Sequence, residues 1–280
     1  MKKIKIVTDS TVDLSKEILE KYEIEVISLS IYINNKSYLD RVDITPAEFI
    51  DKMMESDELP KTSQPSVGTF IEKYDELADK GYDIISIHMT GGMSGTVESA
   101  KSASQLTKAS VFVVDSEFIS KGLSFQVLEA AKMVQNGHNV AEILQRLNHV
   151  KKHTKLFVVV DTLENLMKGG RIGKGKAFLG SLLNIKPIAT LEEGVYTPIA
   201  KVRSRSQAVK YLVGAFVEDS LGKKIKSVGI THAGSLEVAI KLKEAIEKAT
   251  GFNKVDIDYT TPVISTHTGP GAIGFSYYIE

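Results

Sequence analysis

The strongest constraint on the fold is a regular alternation of strand and helix patterns in the first half of the chain. Short apolar runs predict buried strands over Ile4–Thr8, Ile84–Met89 and Val111–Asp115, and helical patterns lie between and after them. Strands that alternate with helices form parallel sheets, because each crossover brings the chain back to the same edge. The first half therefore predicts an α/β domain with a mainly parallel sheet between two layers of helices.

Local signals place several element boundaries. Thr45–Glu48 reads as a capping box with Pro at the first helical position, which predicts a helix to about Met54. Ser66 is the expected cap of the next helix. We also expect one strand over Ile24–Ile33 and a loop over Pro60–Pro65.

The second half of the chain has a different pattern of predicted strands and helices. Lys186–Leu191 and Val195–Val202 flank a Glu-Gly pair, which predicts a hairpin, and helical patterns follow before a last strand over Ala272–Ile279. A hairpin among helices favours a mixed sheet. We therefore predict two domains, residues 1–160 with the parallel sheet and residues 161–280 with the mixed sheet. The apolar strand Phe157–Val160 falls in the first of them.

Composition excludes several kinds of function. The chain has no Cys, which rules out disulfides, thiolate nucleophiles and iron–sulfur ligation. Its formal net charge is +0, so it has no general attraction to nucleic acid or anionic membrane. No run approaches the length of a transmembrane helix, and the apolar stretch after Met1 is too short for a signal peptide. We expect a soluble cytoplasmic protein.

Three segments combine small hydroxyl side chains with glycine, namely Thr62–Ser66, Gly91–Thr96 and Thr266–Gly271. We expect them to be loops. Hydroxyls and free backbone amides can hydrogen-bond an anion without a formal positive charge. No equally convincing nucleophile, metal cluster or cofactor motif accompanies them. The pattern favours the binding of a small acid over its chemical conversion.

Two glycine-rich motifs resemble nucleotide sites but depart from them. Gly269–Gly274 fits G-x-G-x-x-G, yet too little chain follows it for the helix and acidic residue that the dinucleotide site needs. It reads as a tight turn entering a strand. Gly170–Lys176 resembles a P-loop start, but Ala177 stands where a hydroxyl should meet magnesium. This segment is either a basic surface or a docking patch for an acidic partner.

Two further segments leave alternatives open. Gly92–Thr96 nearly matches the nucleophile elbow G-x-S-x-G, so a serine hydrolase using Ser94 and His267 is the alternative function. The position of Ser94 between a strand and a helix favours anion binding instead. Thr8–Asp13 could bind a metal or phosphate, but we expect a strand end followed by a helix cap.

Taken together, these segments resemble the DegV family of bacterial fatty-acid-binding proteins. The matching motifs span nearly the whole chain in the expected order, and the Leu-x-x-Gly-Gly-Arg-Ile part is the most specific. They are Val7–Leu14, Thr62–Ser66, Ser94–Thr96, Asp161–Ile172 and His267–Gly271.

The resemblance implies a lipid carrier without catalysis of its own and without a metal or cofactor. One long-chain fatty acid, such as palmitate, stearate or oleate, would lie between the domains with its tail in an apolar tunnel. A separate ATP-dependent fatty acid kinase would phosphorylate the carboxylate, and the acyl phosphate would enter phospholipid synthesis.

The resemblance also implies roles for individual residues. The carboxylate contacts carried over are the Thr62 and Ser94 hydroxyls and the Gly95 amide, with His267 supporting them. Arg171 and Arg203 match basic positions near the mouth that would face the kinase.

Overall fold

The structure is a computed structural model that describes residues 3–181 and 185–280, with side chains left undescribed at 178–181. Its first sheet has four parallel strands in the order β2-β1-β6-β7. These are β1 (Lys3–Asp9), β2 (Glu25–Ile27), β6 (Tyr82–His88) and β7 (Val111–Asp115). The predicted parallel α/β arrangement of the first half is confirmed.

Helices cover both faces of this sheet. They are α1 (Lys16–Lys21), α3 (Val67–Asp79), α4 (Thr96–Leu106), α5 (Ser120–Gln135) and α6 (Val140–Lys152). Phe70 of α3 and Ala100 of α4 pack with Val7 on one face, whereas Leu123 of α5 packs with Ile6 and Ile85 on the other. Successive residues of a strand point to opposite faces, which explains how both sides are buried.

A small antiparallel sheet is an addition that the sequence did not predict. It consists of β3 (Ser30–Ile33), β4 (Lys36–Leu39) and β5 (Lys61–Ser63) in the order β4-β3-β5. The expected single strand over Ile24–Ile33 is wrong, because β2 and β3 belong to different sheets. The expected loop over Pro60–Pro65 is also wrong in its first part, where β5 pairs Thr62 with Ile31. Between β4 and β5 lies α2 (Pro46–Glu55), and the predicted capping box is confirmed.

The second large sheet is mixed, as predicted, with six strands in the order β10-β9-β8-β13-β11-β12. The β9–β10 pair is the predicted hairpin, and β11–β12 is the parallel pair of this sheet. The strands are β8 (Thr154–Val159), β9 (Lys186–Glu192), β10 (Val195–Val202), β11 (Ile225–His232), β12 (Val255–Tyr259) and β13 (Ile273–Ile279). The accompanying helices are α7 (Glu164–Lys168), a 3-10 helix (Gly173–Ser181), α8 (Arg205–Ser220), α9 (Leu236–Thr250) and α10 (Pro262–Thr268).

The strand β8 pairs with β9 and β13 in the mixed sheet. It does not join the parallel sheet of the first 150 residues, where our prediction placed it. An apolar run indicates that a strand is buried but not which strands pair with it. The sequence of β8 therefore could not assign this strand to a sheet. The domain boundary near residue 160 stays a prediction.

One continuous hydrophobic core joins the two large sheets. It contains Ile85 of the parallel sheet, Leu123 of α5, and Val158 and Ala189 of the mixed sheet. The first turns of α5 are buried because the helix lies between the sheets. Among the described residues, no helix has the length and apolar character needed to cross a bilayer.

Candidate ligand pocket

A pocket lies within this shared core and takes its wall from both halves of the chain. Burial of apolar groups stabilises a ligand by about 0.8 kcal/mol per methylene, so a mainly apolar wall suits an alkyl chain. The apolar wall includes Leu29, Met89, Ile119, Val158, Leu166, Val263 and Ile264.

Polar side chains from separate parts of the chain meet at the mouth of this pocket. We call them the polar cluster, and its members are Thr62, Gln64, Ser94, Arg171 and His267. Gln64 is exposed and the other four are half-buried, so the cluster extends from the pocket wall to solvent. The structure therefore brings together three of the four predicted carboxylate contacts, with the fourth, Gly95, adjoining Ser94.

Thr62 and His267 are joined directly. The Thr62 hydroxyl lies 2.8 Å from Nε2 of His267, in a hydrogen bond between β5 and α10. Burial lowers the pKa of His267 to about 4, and the nearby Arg171 charge acts in the same direction. His267 is therefore a neutral hydrogen-bonding group at physiological pH.

His267 lies on a helix, where we had expected a loop. Thr261 caps α10, Pro262 occupies its first turn, and the helix continues through Thr268. Only Gly269 and the residues after it form the expected turn into β13. Among the described residues, the ring nitrogen Nδ1 of His267 has no hydrogen-bond partner, and it packs so closely over Gly169 that a Cβ atom there would overlap it. This contact explains why a glycine stands before Gly170 and Arg171.

Ser94 follows β6 in the loop that begins at Gly91. Its hydroxyl lies 2.8 Å from the hydroxyl of Thr96, and its oxygen also accepts the Thr96 amide at 3.3 Å. Gly95 is the N-cap residue of α4 and provides no side chain for that role. Because a helix N-terminus favours negative charge, the Gly95 amide is suitably placed to meet an anion.

Gln64 is a member of the cluster to which the sequence analysis gave no role. Its side-chain amide donates to the Ser99 hydroxyl at 2.9 Å and packs against Gly95. A Cβ atom at Gly95 would lie 2.2 Å from Oε1 of Gln64, so this approach requires glycine. Its position within the hydroxyl-rich segment Thr62–Ser66 could have predicted that Gln64 belongs to the cluster.

Arg171 lines the pocket, whereas the resemblance placed it only near the mouth as a partner contact. Its guanidinium donates to the carbonyl oxygen of Met93 at 3.0 Å and to that of Gly169 at 2.6 Å. These bonds connect the loop before α4 with the turn after α7. The polar cluster thus contains one fixed positive charge, and the expectation of uncharged donors alone was incomplete. Arg203 is exposed before α8 and does not line this pocket.

Tyr196 was also missed. It is buried, it lines the pocket, and its hydroxyl has no hydrogen-bond partner among the described residues. Burial holds its pKa well above the usual range, so the phenol stays neutral. No local sequence signal separates Tyr196 from an ordinary strand residue, because the pocket forms only when the sheets pack together.

The hydrogen bonds do not assemble a serine hydrolase site. The Ser94 hydroxyl bonds Thr96, and the His267 ring bonds Thr62. No carboxylate orients the free Nδ1 of His267 within residues 3–181 and 185–280. The serine, histidine and acid must form a connected chain for this chemistry, so the alternative function loses its structural basis.

The remaining motifs lack the structural context of a nucleotide or metal site in the described part of the chain. Gly170–Lys176 follows the helix α7 instead of a strand, unlike a P-loop. Asp9 accepts the amides of Thr11 and Met89, while Ser15 caps α1, so the expected helix cap within Thr8–Asp13 was misplaced. In the described part of the chain, no group of three His, Asp or Glu side chains could hold a metal ion.

The fold and the pocket define a class of α/β proteins in which a parallel and a mixed sheet enclose an apolar pocket with a polar mouth. Residues 3–280 match the family described as "Uncharacterised protein, DegV family". The chain belongs to the DegV family. A DegV domain-containing protein of Staphylococcus aureus is 48% identical over 269 residues, which are 96% of each chain.

Solved structures show the same fold. The structure that reports fatty acid binding by a DegV family protein from Thermus thermophilus is similar with a TM-score of 0.92 and 33% identity, over 99% of each chain. A stearic acid-binding protein from Eubacterium ventriosum has a TM-score of 0.88 and 26% identity, over 98% of each chain. Both of these proteins bind a fatty acid.

Proposed function

We propose that this protein binds one long-chain fatty acid, with its tail in the apolar pocket and its carboxylate on the polar cluster. The observation that carries the proposal is the meeting of Thr62, Ser94 and His267 at the mouth of an otherwise apolar cavity. An amphiphile needs both parts, because its tail gains from burial while its charged head must keep hydrogen bonds.

We infer the head-group contacts from the members of the polar cluster. The Thr62 and Ser94 hydroxyls and the Gly95 amide donate to the carboxylate oxygens, and neutral His267 orients Thr62. Gln64 and Arg171 complete the site from the solvent side. Charge-assisted hydrogen bonds are roughly twice as strong as neutral ones, so a few suffice to hold the head.

In the proposed role the protein is a cytoplasmic carrier and not itself an enzyme. A separate ATP-dependent fatty acid kinase receives the exposed carboxylate and forms the acyl phosphate for phospholipid synthesis. The exposed Lys168, Lys174 and Lys176, together with Arg203, support a surface for this partner. Opposite charge across such a surface would speed association and set orientation.

Native mass spectrometry of the purified protein, followed by solvent extraction, tests the proposal. We expect one fatty acid per chain, released on denaturation. Delipidated protein should take up a fatty acid but not the matching methyl ester or alcohol, since these lack the carboxylate. Equal uptake of acid and ester would contradict the head-group assignment, and no uptake of any of them would contradict fatty acid binding.

A further inference from the structure

The pocket continues past the polar cluster into a second, inner chamber. The two cavities share Ile119, Val158, Ile264 and Thr268 in their walls. The shared residues form a neck between them. A tail that enters at the polar cluster can therefore extend beyond the neck.

Strand register gives the direction of this tunnel. Val158 of β8 lies opposite Gly274 of β13, which in turn lies opposite Thr231 of β11. Opposite residues of neighbouring strands share one face of a sheet. At the other end, Tyr196 lies on β10. The walls of the two cavities thus include residues of β8, β10, β11 and β13 of the mixed sheet.

The inner chamber ends on three hydroxyls, Ser120, Thr231 and Thr260, which we call the hydroxyl floor. Ser120 and Thr260 both donate to the buried carboxylate of Asp13, and Thr231 lies 3.1 Å from the Ser120 hydroxyl. An alkyl tail has no group that could replace these hydrogen bonds. A tail that displaced Ser120 and Thr260 would leave the buried Asp13 carboxylate with the Thr261 amide in place of three hydrogen bonds, which is unfavourable.

Gly274 lines the inner chamber beside this floor, on the same face of the sheet as Val158. A Cβ atom at Gly274 would lie 2.5 Å from Oγ1 of Thr231. A side chain there would therefore have to displace the Thr231 hydroxyl and would narrow the inner chamber.

We propose that Gly274 and the hydroxyl floor determine the acyl chain length that this protein accepts, by ending the tunnel at a set distance from the polar cluster. This inference rests on the proposed fatty acid function and adds its specificity. The residues that hold the head determine that an acid binds, whereas these residues determine how long its tail can be.

Competition among chain lengths tests the inference. Delipidated wild-type, Gly274→Ala, Thr231→Ala and Ser276→Ala proteins are loaded from an equimolar series of saturated fatty acids of about twelve to about twenty carbons, then extracted and quantified by mass spectrometry. For Gly274→Ala we expect shorter chains, with roughly a fourfold affinity loss for each methylene that no longer fits. For Thr231→Ala we expect a preference for longer chains, because loss of the Thr231 hydroxyl and methyl groups enlarges the inner chamber.

Ser276→Ala is the matched control. Ser276 lies on β13, is buried, and does not line either cavity, so its variant should keep the wild-type profile. An unchanged profile in both Gly274→Ala and Thr231→Ala overturns the length inference while leaving fatty acid binding intact. If Gly274→Ala does not fold, the Thr231→Ala profile decides alone. A wild-type protein that takes up no acid of the series overturns the proposed function and the inference with it.

Discussion

The Thr62 hydroxyl and the His267 imidazole are 2.8 Å apart although 205 residues separate them in the chain. One lies on a small sheet next to the parallel domain, and the other on a helix next to the mixed sheet. Their hydrogen bond therefore forms only when both halves of the chain are packed. The proposed carboxylate site is a product of that interface.

Thr62→Val should weaken fatty acid binding while keeping the shape of the side chain. A lost hydrogen bond to a charged group costs about 1.5–3 kcal/mol, so the dissociation constant should rise roughly 10- to 100-fold. Ser94→Ala should act in the same direction. Displacement of a fluorescent fatty acid measures both. Thr250→Val is the control, because Thr250 bonds within α9, far from the pocket. Wild-type affinity in both pocket variants would contradict the assignment.

Gly95→Ala should disrupt the mouth of the pocket more than its size suggests. The new methyl group would overlap Oε1 of Gln64 at 2.2 Å and force Gln64 away from Ser99. We expect at least a tenfold loss of fatty acid affinity, about 1.4 kcal/mol. Gly214→Ala is the matched control, since a Cβ atom there meets nothing within 4 Å and the residue lies inside α8. That change should raise stability by about 0.5–1 kcal/mol and leave binding unaltered.

Asp40 should make the protein less stable as the pH rises. Burial raises the pKa of Asp40 from 3.8 to about 7, against the opposing effects of the Ser10 hydrogen bond and the Arg41 charge. Between about pH 4 and pH 7 the folded protein keeps a proton that the unfolded chain has released, so the free energy of unfolding falls by up to roughly 4 kcal/mol. Urea unfolding of Asp40→Asn should lack this fall. An identical pH dependence in variant and wild type would show that Asp40 is not the group responsible.

His267 should make the protein more stable as the pH rises over a similar pH range. Burial and the Arg171 charge lower the pKa of His267 to about 4 from 6.5. Between about pH 4 and pH 6.5 the unfolded chain binds a proton that the folded protein excludes, so the free energy of unfolding rises with pH and then levels off. In His267→Gln this rise should disappear, which unfolding measured at several pH values in parallel with wild type would reveal. Direct titration by NMR with a pKa near 6.5 in the folded protein would contradict the prediction.

Charge reversal near the mouth should separate partner coupling from lipid binding. Lys168 and Lys174 are exposed, and they pair with the surface carboxylates of Glu164 and Glu192. Lys168→Glu with Lys174→Glu should reduce acyl phosphate formation by a fatty acid kinase about 3- to 10-fold, more strongly at low salt, because rim charges mainly affect association. Arg203→Glu should act similarly.

The control for this surface is Lys132→Glu, a change of the same charge on the exposed end of α5. Retained fatty acid is measured in every variant. Normal acyl phosphate yield in the reversed variants, or loss of their lipid, would contradict a partner role for these lysines. Arg171 is left out of this series because it lines the pocket and would change both readouts.

Much of the local structure was predictable. The capping box at Thr45–Glu48, the hairpin at Glu193–Gly194 and the parallel order of β1, β6 and β7 all followed from short-range patterns. Errors occurred where a segment had no local signal for its partner. β3 and β5 read as part of a longer strand and a loop because their pairing is with each other. Gln64 and Tyr196 went unassigned because their role depends on what packs against them.

The sequence by itself determined the strand–helix alternation of the first half, the capping box at Thr45–Glu48, the β9–β10 hairpin, and the hydroxyl-rich segments that can meet an anion. These features depend on interactions over a few residues. Only the tertiary structure decided that Thr62 meets His267, that β8 joins the mixed sheet, and that Gly274 packs against the Thr231 hydroxyl. Each of these depends on which strands pair and how the two sheets pack. The residues close to each position in the chain do not specify such long-range contacts.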